Sequence, residues 1–367
     1  MRFADLLREH WPRYVARAGG AARVPAAHRR AVEAVLSCRT PRLGGHVYIC
    51  TDCNREHFAY HSCNHRACPR CGAREQQLWS ARQQARRLPV PYFMLTFTVP
   101  ELLRWFFLRY DRVAYNALFA AVSGAIKELF ADPKHFGGQP GFTAVLHTWT
   151  RKMEFHPHLH VLVPAVALAE EGCQAIRPKG PEFLLPHAPL ARRYREHFLA
   201  RLRDKHPGFH AQIDPGVGSI DWNVNVKAVG RGKRALRYLA AYVNRSAFSE
   251  QRLAGYDEKG RVQLWWQDSK DGKRKLMALE VIEFIRLWLL HVLPKGLTRV
   301  RHYGFLGAAA VKSYRRLRFL LGGKAFTVEV PGDEPPSCPC CGRAMQLLGK
   351  LLPVRGPPLS AALLTNQ

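Results

Sequence analysis

The sequence predicts an α+β fold in which a central antiparallel sheet with flanking helices follows a small zinc-binding module. Short apolar runs rich in β-branched and aromatic residues, at 92–99, 142–150 and 158–166, are typical of buried strands. The segments between them include helical spacing, but strands and helices do not alternate in the strict rhythm of a doubly wound parallel sheet. Five of the ten cysteines lie between positions 50 and 71, which indicates a metal-binding module before the sheet.

The individual elements follow from hydrophobic periodicity and from the positions of proline and glycine. An apolar stripe at helical spacing predicts that residues 1–37 are helical; it consists of Phe3, Leu6, Leu7, Trp11 and Tyr14. Further helices are expected at 74–88, 101–131, 190–205, 232–248 and 277–293, and a further strand at 261–268. We expect three regions: an N-terminal helical and zinc-binding domain at 1–90, the main α+β domain at 91–310, and a basic segment with a Pro/Gly-rich tail at 311–367.

The charge of the chain indicates a polyanionic partner. Its 367 residues include 56 Lys and Arg against 28 Asp and Glu, a formal net charge of +28. Such a surplus favours either phosphate backbones or anionic membranes. No apolar stretch approaches the ~18 uninterrupted residues that span a bilayer, and the start, MRFADLLREHWPRY, is too charged for a signal peptide. We therefore expect a cytoplasmic, nucleic-acid-binding protein, in which cysteines favour metal binding over disulfides.

Two Cys-x-x-Cys pairs predict a structural zinc site. Cys50, Cys53, Cys68 and Cys71 would supply four thiolates to one tetrahedral ion. Cys63 and His65 lie between the pairs and could replace a ligand or bind a second ion, although a solvated or supporting role is favoured for them. Arginines around these ligands suit contacts to DNA phosphates; the candidates are Arg66, Arg70 and Arg74. Cys338 and Cys341 form a terminal pair that needs two further ligands to complete a site.

The sequence His-Pro-His-Leu-His at 156–160 predicts a second kind of metal site. On a strand, His156, His158 and His160 share one face, because side chains alternate between the two faces of a sheet. Imidazoles on one face, followed by apolar residues, suit a divalent ion with open coordination positions. The third ligand stays open at this point: His156 and Glu154 are favoured by face and proximity, and His147 comes next.

A basic helix supplies candidate nucleophiles. Tyr238 and Tyr242 are four positions apart and therefore neighbours on one helix face. Arg234 and Arg245 fall on the same side, where guanidinium groups could hold phosphate oxygens. Aromatic core positions of an amphipathic helix would ordinarily explain such tyrosines, but the histidine strand and the basic charge in the same region favour a catalytic role.

These motifs resemble those of the HUH-type, two-tyrosine rolling-circle transposases of bacterial insertion sequences that carry an N-terminal zinc-binding domain. The matching stretches run in order from about residue 45 to 310: YHSCNHRACPRC, FTVPELLR, FHPHLHVLV, RYLAAYVNRSAFSEQRL and GKRKLMALEVIEFIRLWLLHVLPKGLTRVRHYG. The resemblance implies that 91–310 is an HUH nuclease-like domain in which His158-Leu159-His160 provides the metal pair, for Mg²⁺ or Mn²⁺. It also implies that Tyr238 and Tyr242 attack single-stranded DNA at the element ends, through a 5′-phosphotyrosine intermediate.

Two alternatives remain open from the sequence. An HUH replication initiator or relaxase would perform the same reaction in a different biological setting, and the N-terminal zinc module favours the transposase. A non-catalytic, zinc-dependent DNA-binding regulator would use the histidines and tyrosines only as structural residues. Such a regulator would form no covalent adduct with DNA.

Overall fold

The computed structural model describes residues 1–169, 174–178, 180, 183–243, 245–268, 270–323, 332, 335–360 and 363. The helices in this part of the chain are α1 (Phe3–Arg17), α2 (Ala26–Ser37), α3 (Ala73–Ala85), α4 (Arg104–Arg109), α5 (Asp111–Ala131), α6 (His187–Lys205), α7 (Pro207–His210), α8 (Lys233–Val243), α9 (Val281–Leu289) and α10 (Val311–Leu320). The strands are β1 (Gly45–Cys50), β2 (Arg55–Tyr60), β3 (Tyr92–Thr98), β4 (Gln139–Trp149), β5 (Phe155–Pro164), β6 (Ala167–Leu168), β7 (Ala175–Ile176), β8 (Val224–Ala228), β9 (Leu253–Tyr256), β10 (Val262–Gln267), β11 (Arg274–Leu279), β12 (Val300–Gly304) and β13 (Gln346–Leu351).

The main sheet is antiparallel and has the strand order β7-β6-β4-β5-β3-β8, with β12 also paired to β4. The predicted α+β class with a central antiparallel sheet is therefore confirmed. Strand β5 lies in the interior of the sheet, between β3 and β4, so its register is fixed on both sides. Such a strand holds its side chains in defined positions, since a slip of one residue would exchange its two faces.

The two faces of the main sheet are covered by different helices. Leu159, Val161 and Val163 of β5 pack into a core with α5 and α6. On the opposite face, Val145 and Leu162 pack with α8 and α10. Helix α5 has the length and composition of a membrane span, but 67% of its apolar window is buried in this core. The helix is accounted for by its packing on the sheet.

The N-terminal region shares a core with a later part of the chain. Helices α1 and α2 pack with α9 and with the separate sheet β9–β11. The ring of Phe3 makes edge-to-face contacts with Phe248, Phe284 and Trp288, at centroid distances of 5.0, 5.7 and 4.9 Å. The Trp288 indole donates a hydrogen bond of 2.8 Å to the carbonyl of Ala67 in the cysteine-rich segment. These contacts attach the module to the half of the chain that carries the tyrosines.

Several predicted elements differ from the structure in their bounds. The helix expected over 1–37 is two helices, because Gly19 and Gly20 take positive φ values of 81° and 103°. The helix expected over 101–131 is broken at Tyr110, whose φ and ψ of −128° and 46° are not helical. The Pro/Gly-rich tail contains β13, which pairs with β1 in a third sheet of order β13-β1-β2. The tail is therefore an integral part of the N-terminal module.

Candidate functional site

Strand alternation places histidines of β5 on the face that α8 covers. Leu159 points into the α5/α6 core, so its neighbours His158 and His160 point to the other side of the sheet. The antiparallel register sets His147 of β4 directly opposite His158. Directly opposed side chains lie on the same face, so three imidazoles meet there.

The ring nitrogens of these histidines converge. His147 Nδ1 lies 3.0 Å from His158 Nε2, which lies 3.2 Å from His160 Nε2. One ligand atom from each of the three residues lies within 4.8 Å of the others. Among the described residues, no other cluster of possible metal ligands contains a histidine. The arrangement suits a single metal ion better than it suits three separate imidazoles.

Hydrogen bonding and burial prepare the cluster for a cation. His158 Nδ1 donates to the carbonyl of His156 at 2.7 Å, which leaves Nε2 with its lone pair free. His160 Nδ1 lies 3.1 Å from the Thr96 hydroxyl. Burial, followed by the neighbouring His160, lowers the pKa of His158 to about 3, and burial lowers the pKa of His160 to about 4. Both rings are therefore neutral near pH 7, the state in which imidazole ligates metals.

His156, one of the favoured candidates for the third ligand, is not part of this cluster. Its ring lies 5.2 Å from that of His158, but its Nδ1 is 3.3 Å from a guanidinium nitrogen of Arg104, and it is not in the group of converging ligand atoms. Glu154 is also elsewhere, since its carboxylate accepts a hydrogen bond of 2.9 Å from Thr150 in the β4–β5 turn. His147, the candidate that came next, completes the group with His158 and His160.

Helix α8 lays both tyrosines over the histidines. The ring of Tyr238 is 5.7 Å from that of His160, and the ring of Tyr242 is 4.4 Å from that of His147. The two tyrosine rings are 4.8 Å apart, as expected at helical i, i+4 spacing. Tyr238 is 46% exposed. Partial burial, followed by the hydrogen bond with the Tyr242 hydroxyl, raises the pKa of Tyr238.

The beginning of α8 is fixed by close packing. Gly232, just before the helix, has a φ of 75°, and a Cβ atom there would lie 2.8 Å from the Tyr92 ring. Along the helix, Leu236 and Leu239 are buried on the side that faces the sheet. This packing sets the rotation of the helix and therefore the direction of its tyrosines.

A buried arginine holds the other end of α8. Arg299 is 5% exposed, and one of its guanidinium nitrogens donates to the carbonyls of Tyr242, Val243 and Arg245 at 3.0, 3.4 and 2.8 Å. Carbonyls at a helix end have no intrahelical partner, and a cation there also complements the helix dipole. The same guanidinium group lies 5.3 Å from the centre of the Trp149 ring. Arg299 therefore ties the tyrosine helix to β4, the strand of His147.

A cleft of about 630 Å³ opens beside Tyr242 and His147. Aromatic and basic side chains line it, among them Trp149, Trp265, Trp266, Arg151, Arg245 and Arg274. The Arg274 guanidinium lies 4.5 Å from the Trp265 ring, and the Lys152 ammonium lies 4.6 Å from the Trp266 ring. Aromatic planes with cations around them are the chemistry that binds nucleobases and phosphates of a single strand.

The cysteines form two clusters, and the predicted site of Cys50, Cys53, Cys68 and Cys71 on one ion is wrong. The two clusters each contain four thiols within 4.8 Å; they are Cys38/Cys63/Cys68/Cys71 and Cys50/Cys53/Cys338/Cys341. The two Cys-x-x-Cys pairs separate because Cys50 ends β1 and faces the tail, whereas Cys68 packs into the core below α1 and α2. His65 is in neither cluster; its Nδ1 accepts from the backbone N–H of Ala67 at 3.2 Å.

The predicted phosphate-binding arginines divide into two groups. Arg66 donates to the carbonyl of Leu297 at 2.6 Å, and Arg70 pairs with Glu250 at 3.2 Å, so both brace the interface between the module and the main domain. Their prediction as DNA contacts is not supported by these positions. Arg74, Arg234 and Arg245 are exposed, and Arg245 borders the cleft.

Sequence reasoning did not assign Cys38, favoured only a supporting role for Cys63, and ranked His147 behind His156 and Glu154. Cys38 looked isolated, although it directly follows α2 and lies twelve positions before Cys50 in the printed sequence. His147 is a buried residue of the strand FTAVLHTWT. Only the pairing of His147 with His158 shows that it can be a metal ligand. The signal for it in the sequence is that histidines occur on both strands of the predicted pair.

Comparison with known proteins identifies both halves of the chain. Residues 141–313 match a family described as "Putative transposase", and residues 6–99 match a "Transposase zinc-binding domain". The two matches define the class as a transposase with a zinc-binding N-terminal domain. No solved structure is significantly similar to the chain.

Two curated relatives are similar to the chain over most of their lengths. The chain is 34% identical to "Putative transposase y4qJ" of Sinorhizobium fredii over 92% of the chain and 87% of that protein. It is 26% identical to the "Transposase for insertion sequence element IS801" of Pseudomonas savastanoi pv. phaseolicola, over 90% of the chain and 86% of that protein. The chain therefore belongs to the HUH-type transposases of bacterial insertion sequences, and the resemblance found in the sequence is confirmed.

Proposed function

We propose that this transposase nicks and rejoins single-stranded DNA at the ends of an insertion sequence, through a 5′-phosphotyrosine intermediate, in rolling-circle transposition. The observation that carries the proposal is the position of Tyr238 and Tyr242 over the cluster of His147, His158 and His160. Transposases of this family act on DNA, and the net charge of +28 suits that partner in the cytoplasm.

The three histidines would hold a divalent cation such as Mg²⁺ or Mn²⁺. Their converging nitrogens and low pKa values support this assignment, because each ring can offer a lone pair near pH 7. When bound, the ion would withdraw electron density from the scissile phosphate and help to orient it. Three protein ligands leave coordination positions open for that phosphate.

The nucleophile is a tyrosine hydroxyl of α8. Its oxygen attacks the phosphorus, the bond from phosphorus to the 3′-oxygen breaks, and that oxygen leaves as a 3′-hydroxyl after it gains a proton. The tyrosine loses its own proton and remains linked to the 5′-phosphate. The free 3′-hydroxyl of another strand can reverse these steps, so rejoining needs no further energy source. Two adjacent tyrosines allow two strands to be held at once.

The cleft beside Tyr242 supports a single strand as the substrate. Trp265 and Trp266 offer aromatic surfaces for unpaired bases, and the surrounding arginines and lysines offer contacts to phosphates. A duplex hides its base faces by stacking, so it would leave these indole rings unused. The cleft leads directly to Tyr242 and His147, where the scissile phosphate would lie.

The N-terminal module contributes a structural zinc ion. The geometry favours four ligands: Cys38, Cys63, Cys68 and Cys71. The Sγ atom of Cys71 lies 3.2 Å from that of Cys38 and 3.6 Å from that of Cys63. Tetrahedral coordination at Zn–S distances of about 2.3 Å requires sulfurs about 3.8 Å apart. The domain match at residues 6–99 contains all four of these cysteines.

A covalent-adduct assay tests the function and separates it from a regulator. Purified protein is incubated with Mn²⁺ and labelled single-stranded DNA from an element end, and the adduct is detected after denaturation. We expect the wild type to form the adduct and the double variant Tyr238→Phe/Tyr242→Phe to form none. Tyr256→Phe removes an exposed tyrosine of β9 and is the matched control. A double variant that still forms the adduct would refute the assignment of the nucleophiles, and a wild type that only binds DNA would favour the regulator.

A further inference from the structure

Four cysteines from opposite ends of the chain meet in a second cluster. Cys50 ends β1 and Cys53 follows in the β1–β2 turn, whereas Cys338 and Cys341 come from the tail. One sulfur from each lies within 4.8 Å of the others, and the Sγ atoms of Cys50 and Cys341 are 3.6 Å apart. The matched zinc-binding domain ends at residue 99, so it contains only half of this cluster.

The loop around Cys338 has the backbone form of a metal-binding knuckle. The N–H of Cys340 points at Cys338 Sγ at 3.4 Å, and the N–H of Gly342 donates to the Cys338 carbonyl at 2.9 Å. Gly342 has a φ of 75°, which returns the chain after Cys341. A backbone N–H aimed at a sulfur stabilises the thiolate, the form that binds metal. Asn54 takes a φ of 49° directly after Cys53, so the opposing turn has a similar form.

The two segments are also aligned by contacts outside the sulfurs. Strand β13 pairs with β1 from Gly45↔Leu351 to Ile49↔Gln346. Arg343 forms an ion pair of 2.6 Å with Asp52, the residue next to Cys53. The apolar core at this place is small: Cys50, Cys338 and Met345 are its buried members, with Tyr48 and Cys53 packed against them. Small modules that bury so little apolar surface commonly depend on a bound metal for their stability.

We propose that Cys50, Cys53, Cys338 and Cys341 bind a second structural zinc ion, independent of the ion at Cys38, Cys63, Cys68 and Cys71. Four thiolates from two knuckles form the closed tetrahedral site that structural zinc prefers, with no open position for catalysis. The ion cross-links the N-terminal module to the C-terminal tail. The transposase zinc-binding domain is therefore completed by residues more than two hundred positions beyond its recognised end.

The test is the metal content of the intact protein. Chains purified from medium that contains zinc and iron are analysed by mass spectrometry for both metals. We expect two cysteine-bound zinc ions per chain in the wild type and one in Cys338→Ser/Cys341→Ser, so the variant should contain one zinc ion fewer. Any metal at His147, His158 and His160 is common to both proteins, and an unchanged zinc content in the variant would overturn the proposal. Cys340→Ser is the matched control, because this cysteine lies between the two proposed ligands but outside the cluster, and it should retain two ions.

A second measurement covers the case in which the double variant does not fold. Wild-type protein is stripped and reloaded with Co²⁺, and the thiolate-to-cobalt absorption is titrated to saturation. Two equivalents of tetrahedral cobalt, with absorption that corresponds to eight thiolates, support the proposal. One zinc ion in the wild type, iron in place of zinc, or saturation at one cobalt equivalent would each overturn it. The proposal does not depend on strand cleavage, so its failure is separate from that of the proposed function.

Discussion

Replacement of Arg299 by methionine tests whether the end of α8 determines where the tyrosines lie. Methionine fills much of the arginine volume but cannot donate to the carbonyls of Tyr242, Val243 and Arg245. Each lost hydrogen bond costs about 1 kcal/mol net, and the lost contact with the Trp149 ring costs about 0.5–1 kcal/mol. Relief of a buried charge offsets part of this loss. We expect the free energy of unfolding to fall by about 3 kcal/mol.

That change is measurable by calorimetry. An unfolding entropy of about 2.1 cal/mol/K per residue gives about 0.8 kcal/mol/K for 367 residues, so Tm should fall by about 4 °C. The larger effect is expected on the rate of adduct formation. A displacement of about 1 Å at a reacting group can cost about 100-fold in rate, and Tyr242 lies in the last turn of α8, next to the lost anchor.

Arg301→Met provides the matched control. Arg301 is also partly buried; it donates to Asn116 at 2.6 Å and lies 4.0 Å from the Phe119 ring, both on α5. By the same values, one hydrogen bond and one cation–π contact are worth about 1.5–2 kcal/mol. This variant should therefore lose stability without moving α8, and its adduct formation should remain close to that of the wild type. If Arg299→Met lowered Tm but left the rate of adduct formation unchanged, the anchoring role of Arg299 would be refuted. Equal losses of rate in both variants would show a general effect of stability.

Four further outcomes are expected. His147→Ala should weaken Mn²⁺ binding by at least about 100-fold, measured by electron paramagnetic resonance, because it removes a proposed ligand. His156→Ala should leave Mn²⁺ binding nearly unchanged, and the reverse result would favour His156 as the third ligand. Because burial lowers the pKa of His160 to about 4, the unfolded chain takes up this proton first, and stability of the metal-free protein should fall as pH drops from about 6.5 to 4 by about 3 kcal/mol for this group. A His160→Gln variant that shows the same acid loss would contradict this. Trp266→Ala should weaken single-stranded DNA binding about tenfold, and duplex binding far less. Affinity for DNA should fall steeply between about 50 and 200 mM salt, and a flat dependence would exclude a phosphate-dominated interface.

The residues that meet at the candidate site could be predicted from the sequence wherever one local periodicity decides their placement. Alternation on β5 assigned His158 and His160 to one face, and helical spacing assigned Tyr238 and Tyr242 to another, so both sets were found without a fold. His147 depends instead on the pairing between β4 and β5, which is a tertiary property. Local sequence cannot say which residue lies opposite His158, and proximity along the chain favoured His156, which is not in the cluster.

The cysteines show the same limit more clearly. Cys50–Cys53 and Cys68–Cys71 have identical spacing, so the pattern gives no reason to separate them. Their separation depends on β13, which pairs with β1 and brings Cys338 and Cys341 to Cys50. Arg66 and Arg70 were likewise assigned by composition, and only the fold shows that each already has a partner in the main domain.

The meeting of the two chain ends also has a consequence for synthesis on the ribosome. Cys50 and Cys341 are separated by 291 positions. Translation at roughly 5–20 residues per second leaves β1 without its β13 neighbour for about 15–60 s after it emerges. During that interval the free edge of β1 presents unpaired backbone groups and two unligated cysteines to other nascent chains. A premature stop anywhere before Cys338 would make this interval permanent, so truncated copies of the protein should be the first to aggregate.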